Sequence, residues 1–424
     1  MSPSAVPPPV LIENVRVFDG VGDRVGPARS VYLKDGLIAA EGGPAAPDAI
    51  VLDGGGRVLM PGLTDAHVHL FAAGATMEQL MLAPTGLVYY QALAEAERML
   101  MRGFTTVRDM GGDTTPLRQA IDAGLFPGPR IYPSQAAISQ TSGHGDFSDV
   151  YEAATLFGGA PSRAEAVGFM RVVDGRDRML TAVREQLKKG ATQIKVMAGG
   201  GVTSAHDPLD TLQFTPDELR AAVEAAADWG TYVSVHVFTP RGIHRAVAAG
   251  VRSIEHGLLA DEESVALLAE KDVWLSTQPL IESDHVYASA DSNEKNRRVC
   301  AGVADTLGWA RAHGVKLAVG TDMLLNPAEA HKQGEMLTRL TTRFGFSAAE
   351  TLRIATSGNA ELFRLAGERD PYRQAPLGVI RPGAWADVLV VDGDPTRDVT
   401  LLAEPDRNLS LIVKGGRIHK NTLR

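Results

Sequence analysis

The feature that most constrains the fold is a repeated alternation of short apolar runs, Gly-rich turns and amphipathic segments through the middle of the chain. "TPDELRAAVEAAADWG" leads into "TYVSVHVF", and Thr215, Pro216 and Glu218 have the spacing of an N-cap, a first helical position and a capping-box partner. About eight strand–helix units fit this stretch, which predicts an α/β fold with a (β/α)8 TIM-like barrel. A doubly wound open sheet is the alternative, although "DGGGR" matches its GxGxxG turn poorly.

The two ends of the chain have a different pattern, with short alternating strands separated by Asp-Gly and Gly-Gly turns. "VLIENVRVFDG" and "SVYLKDGLIAAEG" lie near the start, and "ADVLVVDGDP" and "LSLIVKGGRIHKN" lie near the end. Such turns between alternating apolar residues are typical of β-hairpins. The pattern predicts a small β-sandwich domain built from residues 1–60 and 376–424, with the barrel domain spanning residues 61–375.

Composition narrows the classes of partner and environment. The chain of 424 residues has a formal net charge of −9, which argues against nucleic acid as its main partner. Its single cysteine, Cys300, excludes an internal disulfide framework and leaves too few thiolates for a structural zinc cluster. "MSPSAVPPPV" lacks the pattern of a signal peptide, and no run approaches the length of a membrane span. We expect a cytoplasmic protein without a membrane partner, and a homo-oligomer is left open.

Two histidines, His67 and His69, follow an apolar run in "LMPGLTDAHVHLF". In an extended strand, residues i and i+2 project from the same face, so the two imidazoles could converge on one metal ion. A pair of ordinary core or surface histidines is the alternative, because HxH also occurs by chance. The pair alone does not decide between these interpretations.

Residues of metal-ligating type recur at the ends of the predicted strands. In a (β/α)8 barrel the active site lies at the carboxyl ends of the strands. A random scatter of the 11 histidines would seldom place so many of them at strand ends. The pattern therefore indicates a metal site formed by His67, His69, Lys195, His236, His256 and Asp322.

Lys195 is the unusual member of this set. A protonated lysine has three donors and no acceptor, so it cannot ligate a metal as an ammonium ion. A desolvated lysine can lose its proton and react with CO₂ to form a carbamate, whose two oxygens could bridge two cations. A buried lysine paired with an acid is the alternative.

The order of these motifs resembles the amidohydrolase superfamily in its binuclear form with a carbamylated lysine. The resemblance rests on HxH after a PG-L-x-D strand, on "IKVMAGGG", "VSVHVF", "IEHG" and "GTD", and on the returning segment "LGVIRPGAWADVLVVDGDP". "TSGHGD", "KVMAGGGVTSAHDPLD" and "WGTYVSVHVFTP" are most similar to the branch that contains Xaa-Pro dipeptidases, related carboxypeptidases and ochratoxin-degrading amidases.

This resemblance implies a site with two divalent metal ions. His67, His69 and Asp322 would hold one ion, and the other ion would be held by His236 and His256, with carbamylated Lys195 as the bridge. Zinc is the default for such ligands, and manganese or cobalt would also fit. Asp322 would also act in catalysis, by moving a proton from the attacking water to the leaving nitrogen.

Four further residues are candidates for substrate binding. His144, on a loop in "SQTSGHGDFSD", is also predicted to be catalytic, because it could donate to the substrate carbonyl or to the oxyanion; a solvent-exposed histidine is the alternative. Relatives often have a tyrosine where this chain has Phe238, which predicts a more apolar leaving-group pocket unless Arg241 or Tyr232 supplies the polar contact. His331 lies in "NPAEAHKQGEM", where many relatives have "PHG", and is the fourth candidate.

The sequence therefore predicts a metal-dependent hydrolase that cleaves an amide bond to an amino acid. Its substrate would be a small amide or a dipeptide, which makes the enzyme a dipeptidase or an N-acyl amino acid amidase, with ochratoxin-like aryl amides as possible substrates. One alternative is a cyclic-amide hydrolase similar to imidazolonepropionase, against which Lys195 counts. Another is a non-catalytic scaffold with a relic barrel, which a missing ligand would have favoured, but all six are present.

Overall fold

The computed structural model describes residues 7–39, 46–204 and 206–423, so most of "MSPSAVPPPV" lies outside the described residues. The N-terminal part forms strands β1 (Val10–Val17), β2 (Ala28–Lys34), β3 (Leu37–Ile38), β4 (Ile50–Asp53) and β5 (Val58–Pro61). β1 is antiparallel to β2 and parallel to β4 and β5. Asp35 and Gly36, with φ of 53° and 78°, form the two-residue turn between β2 and β3 that the Asp-Gly pair predicts.

The middle of the chain supplies parallel strands. A three-stranded sheet contains β6 (Leu63–Val68), β7 (Phe104–Asp109) and β8 (Arg130–Pro133) in that order. A seven-stranded sheet has the order β10-β9-β11-β12-β13-β14-β15. Its strands are β9 (Ala137–Ser139), β10 (Met170–Val172), β11 (Ile194–Met197), β12 (Val233–Val237), β13 (Ser253–His256), β14 (Trp274–Thr277) and β15 (Leu317–Val319). The protein is thus a mixed α/β structure with parallel sheets.

Helices alternate with these strands. They are α1 (Leu70–Ala73), α2 (Met77–Leu82), α3 (Thr85–Met101), α4 (Thr115–Asp122), α5 (Arg163–Ala166), α6 (Arg176–Lys188), α7 (Pro216–Ala227), α8 (Pro240–Ala249), α9 (Glu262–Glu270), α10 (Ala290–Ala301), α11 (Val303–Ala312), α12 (Gln333–Thr342), α13 (Ala348–Arg353), α14 (Asn359–Phe363) and α15 (Pro405–Asn408). Short 3₁₀ turns and one π-helical turn, Ile354–Gly358, complete the helical segments. Among the described residues, no helix combines the length and the apolar character needed to cross a bilayer.

Helix α7 shows why these segments become helical. Its N-cap, Thr215, accepts a hydrogen bond from the Glu218 backbone N–H, and the Glu218 carboxylate accepts one from the Thr215 N–H at 2.7 Å. Pro216 takes the first helical position, where its missing N–H costs nothing. Leu219 and Ala222 are buried on its inner face. The predicted capping box is confirmed.

The C-terminal strands return to the first sheet. β16 (Val388–Val391), β17 (Leu409–Lys414) and β18 (Arg417–Asn421) complete an eight-stranded sheet in which β16 lies antiparallel to β5. At the start of β8, Arg130 donates to both carboxylate oxygens of Asp387 at 2.7 and 3.1 Å, and its guanidinium stacks on Trp385 at 3.9 Å. This buried ion pair joins the parallel region to the terminal sheet.

Hydrogen bonds also connect the two parallel sheets at both edges of the smaller one. Beside β6, the Asp322 N–H donates to the His67 carbonyl at 2.7 Å, and the His69 N–H donates to the Met323 carbonyl at 3.1 Å. Beside β8, the Thr192 N–H donates to the Pro133 carbonyl at 2.8 Å. The β6 bonds hold the carboxyl end of β6 next to the segment that follows β15, and the β8 bond holds β8 next to the start of β11.

Candidate active site

The six predicted ligand residues lie at or near the carboxyl ends of parallel strands. Asp322 has a side chain that is 25% exposed, and the other five side chains are buried. Because the strands are parallel, their carboxyl ends lie at the same edge of the sheet. Residues that are far apart in the sequence can therefore meet there. The residues are His67 in β6, His69 just after it, Lys195 in β11, His236 in β12, His256 at the end of β13, and Asp322 after β15.

Asp322 lies at the centre of this cluster. Its Oδ1 is 3.3 Å from Nε2 of His67 and 3.3 Å from Nε2 of His69, and its Oδ2 is 3.9 Å from Nδ1 of His256. Nζ of Lys195 lies 3.5 Å from Nε2 of His67. Ligand atoms of His67, His256 and Asp322 all lie within 4.8 Å of one another, which is close enough to share a metal ion.

Aromatic rings form the second side of the site. The His236 ring lies 4.5 Å from that of His256, measured between centroids, and the His144 ring stacks on His236 at 4.2 Å. The buried Phe238 ring is 4.9 Å from His236 and 5.2 Å from His256. The structure therefore brings His144 and Phe238 to the cluster.

Burial determines the protonation states of the cluster. Burial and the charge of Lys195 lower the pKa of His67 to about 3, and burial lowers that of His256 to about 4. Burial lowers the pKa of Lys195 to about 8 despite the opposing charges of Glu255 and Asp322. For Asp322, burial raises the pKa, but the surrounding histidines outweigh it and the net direction is strongly downward. Neutral imidazoles and an ionised carboxylate result.

This donor set fits divalent cations. The ionised Glu255 carboxylate can only accept, so Nδ1 of His67 must donate to it at 2.8 Å, which leaves a lone pair on Nε2. That lone pair faces Oδ1 of Asp322 at 3.3 Å, and two acceptors at this distance repel unless a cation lies between them. In the same way Nδ1 of His256 contacts Oε1 of Gln278 at 2.7 Å, which frees its Nε2 for a ligand.

His67 is supported by buried residues that the sequence motifs did not indicate. Arg108 is fully buried and donates to both oxygens of Glu255 at 2.7 and 2.8 Å, to Ser276 Oγ at 3.0 Å and to the Tyr232 hydroxyl at 3.1 Å. Tyr232 is therefore engaged within the core rather than free to contact a substrate. In the sequence, the only indication of this support is a charged residue within each of two apolar strands, Arg108 in "TTVRD" and Glu255 in "SIEHG".

Two cluster residues have strained backbones. His256 has φ of 71° and Asp322 has φ of 54°, in the left-handed region that few residues other than glycine adopt. Such conformations cost on the order of 1–3 kcal/mol each and concentrate at functional sites. The strain at these two strand ends supports a functional role for the cluster.

Two predicted substrate residues lie apart from these contacts. Arg241 is exposed in the first turn of α8. His331 is exposed in a 3₁₀ turn, where its Nδ1 contacts the Ala328 carbonyl at 2.9 Å. The hydrogen bonds and ring contacts described for the cluster include neither residue. A cavity does adjoin Asp322, and it is lined by residues that include Asp284, His285, Met323, Asn326, Lys332 and Met336.

The family model described as "Amidohydrolase family" matches residues 58–418. The chain belongs to this family. This amidohydrolase is 33% identical to ochratoxinase of Aspergillus niger over 380 residues, which cover 86% of this chain and 76% of that protein.

Solved structures extend the comparison. The amidohydrolase is similar to a prolidase in complex with N-methylphosphonate-L-proline, with 33% identity, a TM-score of 0.88 and coverage of 98% of this chain and 100% of the other. It is also similar to a Xaa-Pro dipeptidase with methionine bound in the active site, with 27% identity, a TM-score of 0.81 and coverage of 97% and 100%. These relatives confirm the predicted branch, and they identify the chain as a hydrolase that acts on amide bonds.

Proposed function

We propose that this amidohydrolase cleaves the amide bond between an acyl group and an amino acid, as a dipeptidase or an N-acyl amino acid amidase. Ochratoxin-like aryl amides are included among the proposed substrates. The observation that carries the proposal is the convergence of His67, His256 and Asp322 around one point at the strand ends. The names of the ochratoxinase, prolidase and dipeptidase relatives support an amino acid as the released product.

The proposed cofactor is a pair of divalent ions, with zinc as the default. His67, His69 and Asp322 would hold one ion, and His236 and His256 would hold the other. Lys195, carbamylated by CO₂, would bridge them, which its burial and lowered pKa favour. When bound, such ions polarise the amide carbonyl and lower the pKa of a nucleophilic water.

The chain's own side chains would move the protons. Asp322 would be ionised, since its pKa lies strongly below the usual value, so it could accept the proton of the attacking water. Asp322 also lines the cavity beside the cluster, where it would return that proton to the leaving nitrogen. His144 would donate from Nε2 to the substrate carbonyl, where negative charge develops. Phe238 would form an apolar wall beside His236 and His256.

The proposed architecture is a closed (β/α)8 barrel of residues 61–375 with a β-sandwich domain formed by residues 1–60 and 376–424. The hydrogen bonds from Asp322 to His67 and from Thr192 to Pro133 support closure, because they link both edges of the three-stranded sheet to the larger sheet. The pairing of β5 with β16 supports a terminal domain shared by both chain ends.

The test is metal analysis combined with a hydrolysis screen. Purified protein would be assayed against N-acyl amino acids, dipeptides, an aryl amide of phenylalanine and a cyclic amide, with Asp322→Asn as the inactive control. The proposal predicts about two divalent ions per chain and release of a free amino acid by the wild type alone. Hydrolysis of the cyclic amide without cleavage of any acyl amino acid would favour the imidazolonepropionase-like alternative and contradict the proposal.

A further inference from the structure

His144 is held by its Nδ1 side. Nδ1 lies 2.8 Å from Oγ of Ser204 and 3.4 Å from Oδ2 of Asp207, while the ring stacks on His236 with an interplanar angle of 22°. The His144 backbone N–H donates to Oε1 of Gln213 at 2.8 Å, which anchors the loop itself. With Nδ1 engaged, Nε2 is the ring nitrogen left for a substrate.

Asp207 is a buried carboxylate surrounded by donors. Its side chain is 1% exposed and accepts from the Gly201 N–H at 2.8 Å, from Gln213 Nε2 at 3.4 Å and from the Ser204 hydroxyl. Because Ser204 donates its proton to Asp207, its oxygen is free to accept from Nδ1 of His144. A carboxylate next to this nitrogen balances the positive charge that the ring carries when both of its nitrogens donate.

The loop that carries Asp207 is also fixed from a second element. Lys295 of α10 is 6% exposed, and its Nζ donates to the Ser204 carbonyl at 3.1 Å and to the Asp207 carbonyl at 3.4 Å. Nζ also pairs with Asp291 at 2.8 Å. Because Lys295 donates to two carbonyls of the same loop, it restricts the conformation of that loop. Asp207 is therefore held in a defined position next to His144.

A glycine lies directly against the His144 ring. A Cβ added at Gly201 would overlap Cε1 and Nδ1 of His144, so this position has room only for hydrogen. Gly201 has no positive φ, so the steric fit to His144, rather than the backbone conformation, excludes a larger residue. The third glycine of "AGGG" therefore lies against the imidazole that Asp207 holds.

We propose that Asp207 is a positioning residue for His144, which it holds through Nδ1 so that Nε2 faces the carbonyl of the scissile amide. Ser204 transmits the hydrogen bond, Lys295 fixes the loop, and Gly201 makes room for the ring. This inference rests on the proposed function, because it assumes that His144 contacts the substrate.

The test is a double-mutant cycle of Asp207→Asn and His144→Asn in the metal-loaded enzyme, with Asp210→Asn as the control for an exposed acid on the same loop. Asp207→Asn should lower kcat about 10- to 100-fold with KM changed less than threefold. In the His144→Asn background it should lower kcat no further. Metal content and thermal midpoint should match those of Asp210→Asn. Binding of an N-phosphonyl amino acid should weaken more than binding of the free amino acid.

Different failures have different meanings. If the losses of kcat in Asp207→Asn and His144→Asn multiply in the double variant, Asp207 acts independently of His144. This result would overturn the inference and leave the proposed function intact. A wild-type kcat in His144→Asn would overturn both the inference and the proposed role of His144. Should Asp207→Asn fail to fold, Gly201→Ala tests the same orientation by pushing the ring aside, and an unchanged kcat there would also overturn the inference.

Discussion

Glu255 accepts a hydrogen bond from Nδ1 of His67 at 2.8 Å, and both side chains are fully buried. Burial raises the pKa of the Glu255 carboxyl, but the charge of Arg108, the hydrogen bond from His67 and the charge of Lys195 together outweigh burial, so this pKa is well below its usual range. An anion at this position fixes the ring of His67 with its Nε2 lone pair toward Asp322. Glu255 would thus orient His67, a proposed metal ligand, without touching the ion itself.

Replacing this carboxylate should weaken metal binding. We expect Glu255→Gln to reduce metal affinity about 10- to 100-fold, because the amide no longer enforces the Nδ1–H tautomer of His67. Competition with a chromogenic chelator measures this directly. The matched control is Ser276→Ala, which removes a partner of Arg108 but leaves the contact between Glu255 and His67. Equal metal affinity in Glu255→Gln and the wild type would contradict the orienting role.

Lys195 should be required for the metal centre. We expect Lys195→Ala to lose bound metal and activity together, since no bridging oxygens remain. Lys195→Arg should lose both as well, because a guanidinium offers no acceptor. Short carboxylic acids should partly restore metal and activity to Lys195→Ala. The exposed Lys188→Ala is the control. Metal analysis would count against the bridged centre if Lys195→Ala retained two ions per chain.

Phe238 should set the preference for the released amino acid. An aromatic wall next to His236 favours a buried apolar side chain, with each buried methylene contributing about 0.8 kcal/mol, whereas a cation would be desolvated. We expect kcat/KM to rank N-acyl-Phe and N-acyl-Pro above N-acyl-Lys, and Phe238→Tyr to shift the preference toward polar substrates. Phe126→Tyr, at an exposed phenylalanine, is the control. A lysine preference that Phe238→Tyr leaves unchanged would show that Phe238 does not line the pocket.

The metal-free protein should lose stability in mild acid. The folded state lowers the pKa of His67 to about 3 and of His256 to about 4, from an ordinary value of 6.5. Between pH 6.5 and 4 the unfolded chain therefore binds protons that the folded chain does not bind. As the pH is lowered through this range, the free energy of unfolding falls by on the order of 3 kcal/mol for each of the two histidines. Urea titrations of chelator-treated protein should show this fall, with a shallower slope in His256→Asn. Equal slopes for the variant and the wild type would refute the assignment.

Sequence patterns predicted the elements that depend on local spacing. The capping box of Thr215 and Glu218 and the Asp35–Gly36 hairpin turn each need only a few adjacent residues, and both are present. The proximity of His67 and Asp322 was predicted from one rule, that the carboxyl ends of the strands in a barrel lie at the same face. The two side chains are indeed 3.3 Å apart.

The residues that orient this cluster could not be predicted in the same way. Asp207 reaches His144 from 63 positions along the chain, and Glu255 reaches His67 from a distant strand, so no local pattern connects them. The sequence does show that Arg108 and Glu255 are charged residues within apolar strands. Their pairing, however, depends on which strands face each other across the core. Arg241 and His331 are exposed and make none of the contacts described for the cluster, so their role in substrate binding stays a prediction.

The pairing of β5 with β16 has a consequence for synthesis on the ribosome. β5 ends at Pro61, while its antiparallel partner begins at Val388, so the intervening chain must be translated before that side of β5 is covered. At about 5–20 residues per second, this interval lasts roughly 15–65 s. Throughout that time the nascent chain presents an open apolar strand edge, so the last strands made are the ones that protect the first from association with other polypeptides.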